Sequence, residues 1–361
     1  MKIAKLCVTL GLMGSVISCN SVKMANQQAV TGFQQANLVA DVVGAAQHVD
    51  PRLVNSWGLA FVPGQDFWIA DNNIGTARVF DVSGTPRIPL SVDIPLALGG
   101  RPPSRPTAVQ FNPVGQDFLV RSAPAQLLFA SEDGTVSTWA TINGNIPAAA
   151  VLAVDDSSRG AIYTGLAIVN PACCREYLAV ADFHNSFIAT YDVGFNPLNT
   201  VGSFKDSTLP DGFAPFNIEQ IGRQVFVTYA LQDAAGTNPV VGAGNGIVDV
   251  FDQDGNFIRR FASNGPLNAP WGIAQASANF GRFSNDILIG NFGDGTINAF
   301  DPTTGNFLGQ VTDSKGRVIV NPGLWGLTFR NDGVGSQDTL YFTAGARGED
   351  HGLLGAISPV N

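Results

Sequence analysis

The sequence has few charged residues and no cluster of basic ones. Charged residues make up 14% of the 361 residues, and 29 acids outnumber 20 bases, which gives a net charge of −9. A nucleic-acid-binding surface needs basic side chains grouped together with aromatic ones, and no segment has that composition. We therefore predict no nucleic-acid partner. An acidic surface is compatible with cations, with neutral partners or simply with solubility.

The sequence also lacks the common catalytic and metal-binding motifs. It contains no GxSxG, HExxH or CxxCH motif, no phosphate-binding P-loop and no dinucleotide fingerprint at a strand–helix junction. Its four cysteines do not have the spacing of a zinc site. No motif therefore assigns an enzyme class, and whether the protein is an enzyme stays open at this stage.

Helical patterns are hard to find after residue 30. The 41 glycines and 21 prolines are too many for a helical protein. Instead, short apolar runs bounded by Gly, Asn, Asp or Pro recur along the chain, and this pattern is typical of strands and turns. The composition therefore predicts an all-β fold.

The one extended apolar run lies at the start of the chain. Residues Leu6 to Ile17 follow two lysines and precede a cysteine. The run is too short to span a bilayer as a permanent helix and is typical of a signal peptide. The residues Val-Ile-Ser-Cys at 16–19 resemble a bacterial lipobox, in which Cys19 is the lipidated residue. A plain signal peptide that contains a cysteine is the alternative.

These features divide the chain into three parts. We predict a lipoprotein signal peptide at 1–18, a flexible tether from lipidated Cys19 at 19–35, and one domain at 36–361. Acyl chains on Cys19 would hold the protein on a membrane without a spanning helix. We therefore expect an exported lipoprotein, at the outer membrane or the cell surface.

Two adjacent cysteines remain, Cys173 and Cys174. In an exported protein they could form a strained vicinal disulfide. Two free thiols in a loop are the alternative, and the sequence does not decide between them.

A tryptophan–glycine phrase recurs three times, as LVNSWGLAF, LNAPWGIAQ and NPGLWGLTF. Aligning the chain on this phrase gives six units whose equivalent positions are 50 to 57 residues apart. These positions are Trp57, Thr107, Thr164, Phe216, Trp271 and Trp325. A period of this size, with three or four strands per unit, is typical of a β-propeller blade. We predict a six-bladed β-propeller in which the phrase begins the innermost strand, its glycine allows close backbone approach, and its tryptophan packs between blades.

The last unit has only three clear strands, so the ring needs a strand from elsewhere. The segment from Gln35 to Val42 has a strand pattern and no unit of its own. We predict that this N-terminal strand completes the last blade as its outer strand. Closure of this kind removes open sheet edges.

Several segments resemble a known family of proteins. They include NLVADV, LVNSWGLAF, ADFHNSF, GFAPFNI, GNGIVDVFD, GNFGDGTINAFDPTTG and HGLLGAI. Together they resemble a poorly characterised family of exported microbial propeller proteins, related to the NHL-repeat and gluconolactonase-like six-bladed propellers. The resemblance covers nearly all of residues 36–358. It implies the propeller fold and export, but no activity.

Polar residues follow the second strand of every unit. They are Asp71–Asn73, Glu132–Asp133, Asp182–Asn185, Gln232–Asp233, Asn291 with Asp294, and Glu349–His351. In a propeller these loops lie on the same face as the start of the innermost strands, and we call this the top face. The pattern therefore predicts that carboxylates, amides and imidazoles from all six blades converge at one end of the central channel.

Oxygen ligands from several blades suit Ca²⁺ or another divalent cation. We predict as ligands the residues Asp71, Glu132, Asp182, Asn217 and Asn291. In the lactonase-like propellers that the chain resembles, a divalent ion in this place polarises an ester carbonyl. His184 or His351 is a candidate general base, because imidazole titrates near neutral pH. The alternative is that both histidines are structural.

Other acidic residues of the repeats are predicted to form turns. Asp133 and Asp294 each precede a glycine in a good hairpin turn. Four more aspartates follow the third strand of a unit, before loops rich in Gly or Pro: Asp81, Asp192, Asp252 and Asp301. We assign no chemistry to them.

Two functions are consistent with these observations. The first is a binding or scaffold module that presents its top face to a protein, glycan or small-molecule ligand, and we expect it to be a monomer that meets the membrane only through its lipid anchor. The alternative is a divalent-metal-dependent hydrolase or lyase of the lactonase-like type, with its site at the top of the channel. The fold alone does not choose between them.

Overall fold

The computed structural model describes residues 32–113, 115–172, 174–198 and 203–360. The predicted signal peptide, Cys19, most of the tether and Cys173 lie outside these ranges. Within them no helix is long and apolar enough to cross a membrane. Apart from two short 3₁₀ turns, Ser157–Arg159 and Gly281–Phe283, the regular structure of the described ranges is β.

The strands form six small sheets, the blades, preceded by β1 (Gly32–Ala40) and β2 (His48–Val49). Blade one contains β3 (Ser56–Phe61), β4 (Phe67–Asp71), β5 (Thr76–Phe80) and β6 (Pro86–Asp93). Blade two contains β7 (Pro106–Phe111), β10 (Leu127–Ser131), β11 (Thr135–Trp139) and β12 (Val151–Asp155), with an inserted hairpin of β8 (Leu119–Val120) and β9 (Ala123–Pro124). Blade three contains β13 (Tyr163–Val169), β14 (Tyr177–Asp182) and β15 (Phe187–Tyr191).

The remaining blades follow in chain order. Blade four contains β16 (Phe213–Ile221), β17 (Gln224–Leu231), β18 (Gly246–Phe251) and β19 (Phe257–Ser263). Blade five contains β20 (Pro270–Gln275), β21 (Ile287–Asn291), β22 (Ile297–Phe300) and β23 (Phe307–Gln310). Blade six contains β24 (Leu324–Phe329), β25 (Leu340–Ala346) and β26 (His351–Val360).

The six sheets close into a ring. Within each blade, consecutive strands are antiparallel. The innermost strands β3, β7, β13, β16, β20 and β24 each contact the next one, and β24 contacts β3 again. The predicted six-bladed β-propeller is therefore confirmed.

The N-terminal strand completes the last blade, as predicted. β1 pairs antiparallel with β26, from Gly32 opposite Val360 to Ala40 opposite Leu353. The strand begins three residues earlier than the sequence pattern indicated and ends at Ala40. Beyond it, β2 adds to β1 in parallel as a fifth strand of the same sheet.

The three tryptophans of the repeated phrase meet one another at the start of the innermost strands. The rings of Trp57 and Trp325 stack with their centroids 3.7 Å apart. Trp271 meets both edge-on, at 6.3 Å from Trp57 and 5.9 Å from Trp325, and Phe292 stacks on Trp325 at 4.2 Å. We call these four residues the axial aromatic cluster. The prediction that these tryptophans pack between blades is therefore confirmed, and the contact between Trp57 and Trp271 also joins two blades that are not neighbours.

The glycine after each tryptophan allows this crowding. A Cβ atom on Gly272 would lie 2.3 Å from the carbonyl oxygen of Trp325, in the next blade. A Cβ on Gly58 would lie 2.7 Å from the Cα of Ala108, in blade two. The expectation that glycine permits close backbone approach near the axis is therefore confirmed.

Candidate functional site

The top face carries a buried asparagine that links two blades. The side-chain amide of Asn55, which is fully buried, donates to Asn72 Oδ1 at 3.3 Å and to Glu349 Oε2 at 3.0 Å. Its own oxygen accepts a hydrogen bond from the indole N–H of Trp325 at 3.0 Å. Asn55 therefore fixes a carboxyl of the blade-six loop directly to the axial aromatic cluster.

The same chain of hydrogen bonds continues into blade two. Asn72 Nδ2 donates to Glu132 Oε2 at 3.0 Å, and the guanidinium of Arg105 lies 3.8 Å from the same oxygen. We call Asn55, Asn72, Glu132 and Glu349, together with Arg105, the acid–amide cluster. It joins blades six, one and two at the top face.

Both carboxyls of the cluster hold their protons more tightly than a free glutamate. Burial raises the pKa of Glu132, and the nearby charge of Glu349 raises it further, against Asn72 and Arg105, which lower it. Burial also raises the pKa of Glu349, and the hydrogen bond from Asn55 opposes that shift. The cluster can therefore offer acidic hydroxyl donors and carboxylate acceptors within one small area.

The loop that carries Glu349 has an unusual backbone. Arg347, Gly348 and Glu349 all have positive φ, at 53°, 73° and 72°. The side chain of Asn73 holds this loop by donating to the carbonyl oxygen of Glu349 at 2.7 Å. Left-handed backbone at a residue other than glycine costs about 1–3 kcal/mol and persists where the surroundings impose it, often at functional sites.

The five predicted metal ligands lie in separate hydrogen-bond networks. Asp71 is fully buried, its Oδ1 accepts from Ser56 at 3.3 Å, and burial raises its pKa well above the usual range. Asp182 accepts from the backbone N–H of Ile162 and from both nitrogens of Asn185. Its pKa is also raised, by burial.

The two predicted amide ligands are also engaged elsewhere. Asn217 donates to the carbonyl oxygen of Trp271 at 3.0 Å. Asn291 accepts from the backbone N–H of Asn268 at 3.1 Å and donates to the carbonyl oxygen of Pro266 at 2.7 Å. Within the described ranges, no three side chains of the His, Cys, Asp or Glu type come together as a metal site. We derive no step through a metal, and a metal site formed by the five residues stays a prediction.

The two candidate histidines lie apart and contact different partners. His184 is partly exposed, and its Nδ1 lies 3.2 Å from the carbonyl oxygen of Gly236. His351 Nδ1 lies 2.6 Å from Oδ2 of Asp41, and the other carboxylate oxygen of Asp41 accepts from the backbone N–H of Gly352. His351 thus sits where β1 meets β26, at the closure of the ring. A role as general base stays a prediction for both residues.

Sequence reasoning included Glu132 but missed Asn55, Arg105 and the part played by Glu349. A signal was present, since each tryptophan phrase contains an asparagine two to four residues before the tryptophan: Asn55, Asn268 and Asn321. Asn268 makes similar cross-loop contacts, because its oxygen accepts from the N–H of Gly242 and its amide donates to Asp294. Asn55 and Asn268 therefore hold neighbouring top-face loops together through their side-chain hydrogen bonds.

Comparisons with known proteins give relatives at the level of sequence and of fold. No protein-family profile matches the chain. An uncharacterised protein of Acanthamoeba polyphaga mimivirus is 31% identical over 341 residues, which is 92% of this chain and 81% of that protein. A second uncharacterised protein of the same virus is 30% identical over 352 residues, 94% of this chain and 90% of that protein.

Solved structures share the fold at low sequence identity. A protein of unknown function from Bacteroides thetaiotaomicron has a TM-score of 0.58 at 12% identity, over 91% of this chain and 76% of that one. A streptogramin B lyase has a TM-score of 0.54 at 11% identity, over 92% of this chain and all of that one. A glucose dehydrogenase has a TM-score of 0.54 at 12% identity, over 91% of this chain and all of that one. At these identities the similarity concerns the fold alone.

The buried Asn55 gives a testable prediction for stability. Asn55 has a positive φ of 49°, which alanine tolerates less well than asparagine or glycine. Asn55→Ala also leaves the indole N–H of Trp325 without a partner, so we expect a loss of about 2–4 kcal/mol from the two effects together. Urea unfolding monitored by tryptophan fluorescence measures the loss.

Asn55→Gly is the matched control, because glycine accepts the backbone conformation but restores no hydrogen bond. We expect it to lose about 1–3 kcal/mol, less than the alanine variant. Equal stability of wild type and both variants would contradict the structural role of Asn55.

Proposed function

We propose that this chain, which belongs to the same protein family as the two uncharacterised mimivirus proteins, is a binding module that holds a glycan on its top face. The acid–amide cluster supports this proposal. Carboxyl and amide groups side by side supply the donors and acceptors that pairs of sugar hydroxyls require. Arg105, which is exposed, adds further donors at the edge of the cluster.

One observation carries the proposal: Glu132 and Glu349, from blades two and six, are held in place by a single chain of amide hydrogen bonds. Groups that are already ordered cost less conformational entropy when a ligand binds. The axial aromatic cluster lies beneath Asn55 and fixes the floor of this area. A ligand would therefore lie across the top face and contact loops from several blades.

The proposal includes export and a lipid anchor at Cys19. Its support is the basic start of the chain, the short apolar run and the lipobox-like residues at 16–19. A lipid anchor followed by a polar tether would leave the propeller free to present its top face away from the membrane.

A second candidate is a divalent-metal-dependent hydrolase or lyase at the top face. The observation that favours it is the set of carboxyls with raised pKa, in particular Asp71, Glu132 and Asp182. Perturbed carboxyls gather at catalytic sites more often than elsewhere, although structural networks perturb them as well. The lyase and dehydrogenase folds among the solved structures are consistent with an enzyme but carry no activity over to this chain.

A glycan array tests the binding proposal. We expect the purified domain, residues 32–361, to bind a restricted set of glycans, and the double variant Glu132→Gln, Glu349→Gln to lose at least about tenfold in affinity, or about 1.4 kcal/mol. Glutamine preserves the size of each side chain but removes the acid. The control Asp211→Asn changes an exposed acid outside the cluster and should bind as the wild type does.

Two outcomes would count against glycan binding. One is that no glycan on the array binds the domain, whereas peptides presented in the same array format do bind it. The other is a glycan affinity that the double variant retains in full, since that places the ligand away from the acid–amide cluster.

Thermal melts with and without metal test the second candidate. A bound ion present at 100 times its dissociation constant adds about 2.7 kcal/mol of stability. The metal-enzyme candidate predicts that Ca²⁺, Mg²⁺, Mn²⁺ or Zn²⁺ raises the melting midpoint relative to EDTA, and that Asp182→Asn abolishes the rise. If no ion raises the midpoint of the wild type, this candidate loses its basis; if one does, lactone and ester substrates should be screened.

Metabolic labelling tests the anchor. We expect the full chain, expressed in a bacterium with an outer membrane, to incorporate labelled palmitate and to sediment with membranes. Cys19→Ser should abolish both the label and the sedimentation, whereas Cys7→Ser, inside the signal peptide, should leave them unchanged. Labelling that persists in Cys19→Ser would contradict the lipobox assignment.

A further inference from the structure

The opposite end of the propeller axis, which we call the bottom face, carries a cavity of about 610 Å³. The far ends of the innermost strands of blades one, two, four, five and six line it. Apolar and polar side chains line it in about equal numbers, and the apolar ones include Leu59, Phe61, Phe111, Ile273, Leu327 and Phe329. A cavity of this size is typical of small-molecule sites.

One carboxyl group lines this cavity, that of Glu219 on β16. The six innermost strands can be compared three residues after the equivalent positions of the repeated phrase. The residues there are Ala60, Gln110, Ala167, Glu219, Ala274 and Thr328. Each of these residues lies opposite a residue of the second strand of its own blade. Blade four therefore places an ionisable group where the other five blades have small or neutral side chains.

Glu219 has no partner among the residues that the structure describes. It is half-buried, and it forms no hydrogen bond or ion pair there, although buried or half-buried carboxyls are normally paired. The other charged residue of the lining, Arg330, is bound to Asp332 and lies over the ring of Phe61 at 4.7 Å. The positive charge of the cavity wall is thus already paired, whereas the carboxyl of Glu219 has no partner.

Burial raises the pKa of Glu219 to about 8, and it is the one cause of the shift. The elements packed against β16 are β13, β14, β15, β17 and β20, and no charged group on them contributes. Near neutral pH the carboxyl is therefore largely protonated unless a ligand supplies a positive charge.

We propose that the bottom cavity binds a hydrophobic organic cation, whose ammonium group pairs with the carboxylate of Glu219 and whose apolar part contacts Phe61, Phe111 and Phe329. An unpaired carboxyl beside apolar side chains is complementary to a cation that carries apolar surface, because each half of the ligand then finds a matching partner. The site lies at the other end of the axis from the acid–amide cluster, so it does not depend on the glycan proposal.

Calorimetric titration of the domain, residues 32–361, with hexylamine, 1-hexanol and hexanoate tests the site. The three probes share one apolar chain and differ in charge, and the buffer is phosphate, so that no other amine is present. At pH 8.5 we expect hexylamine to bind at least about tenfold more tightly than 1-hexanol, and hexanoate to bind most weakly. Glu219→Gln should remove the preference for hexylamine, whereas Asp211→Asn, with the same loss of charge at an exposed position, should retain it.

The pH dependence gives an independent readout. Ionised Glu219 is the form that pairs with the ammonium group, so the affinity for hexylamine should fall as the pH is lowered from 8.5 to 6, by up to about tenfold per unit. Hexylamine resembles a lysine side chain and stays protonated across this range. Glu219→Gln should show no such slope.

Glu219→Ala, which introduces the residue found in three other blades, is a second variant in case glutamine disturbs folding. Melting curves establish that each variant is folded. Equal affinities for hexylamine and 1-hexanol, an unchanged hexylamine affinity in both Glu219 variants, or no binding of hexylamine up to about 10 mM would each overturn the proposal.

Discussion

The pairing of β1 with β26 is the interaction on which the ring depends. A propeller blade has apolar faces that only its neighbours can cover, so an open ring would expose one face of the first blade and one of the last. β1 acts on both neighbours of blade six. Phe33 packs against Phe280 and Phe283 of blade five, at 4.7 and 5.9 Å, while Leu38 and Val39 belong to the apolar cluster that includes residues of blade one. One strand, contributed from the other end of the sequence, therefore joins three blades.

Closure of the ring also brings the three tryptophans together, and this has consequences for both faces. The axial aromatic cluster fills the centre near the top and anchors Asn55 through the indole of Trp325. Asn55 then positions Glu349, a residue 294 positions away in sequence. The two ends of the axis differ chemically: the top carries linked acids and amides, and the bottom carries a mixture of apolar and polar side chains with one unpartnered carboxyl. The two ends of one propeller can thus suit ligands of different chemical character.

The similarity to a lyase, a dehydrogenase and a protein of unknown function illustrates how little a propeller fold restricts activity. What distinguishes one propeller from another is the set of side chains at the ends of the axis. In this chain the distinguishing residues are Asn55, Glu132, Glu349 and Glu219. Burial is the main cause of the raised pKa values of the three glutamates, so these shifts follow from the position of each residue in the ring rather than from its sequence neighbours.

The number of blades, the innermost strands, the closing strand and most turns could be predicted from the sequence, because they depend on local patterns that repeat about every 50 residues. The aspartates after the third strands illustrate this: Asp81, Asp192, Asp252 and Asp301 accept hydrogen bonds from backbone N–H groups two to four residues on, within the predicted turns. Which polar residues meet depends instead on the folded ring. It joins Asn55 to Glu349, leaves the five predicted metal ligands in separate hydrogen-bond networks, and places Glu219, which no motif singles out, in the bottom cavity. The physical reason is that contacts between blades depend on the geometry of the closed ring, and burial shifts a carboxyl only once distant segments surround it.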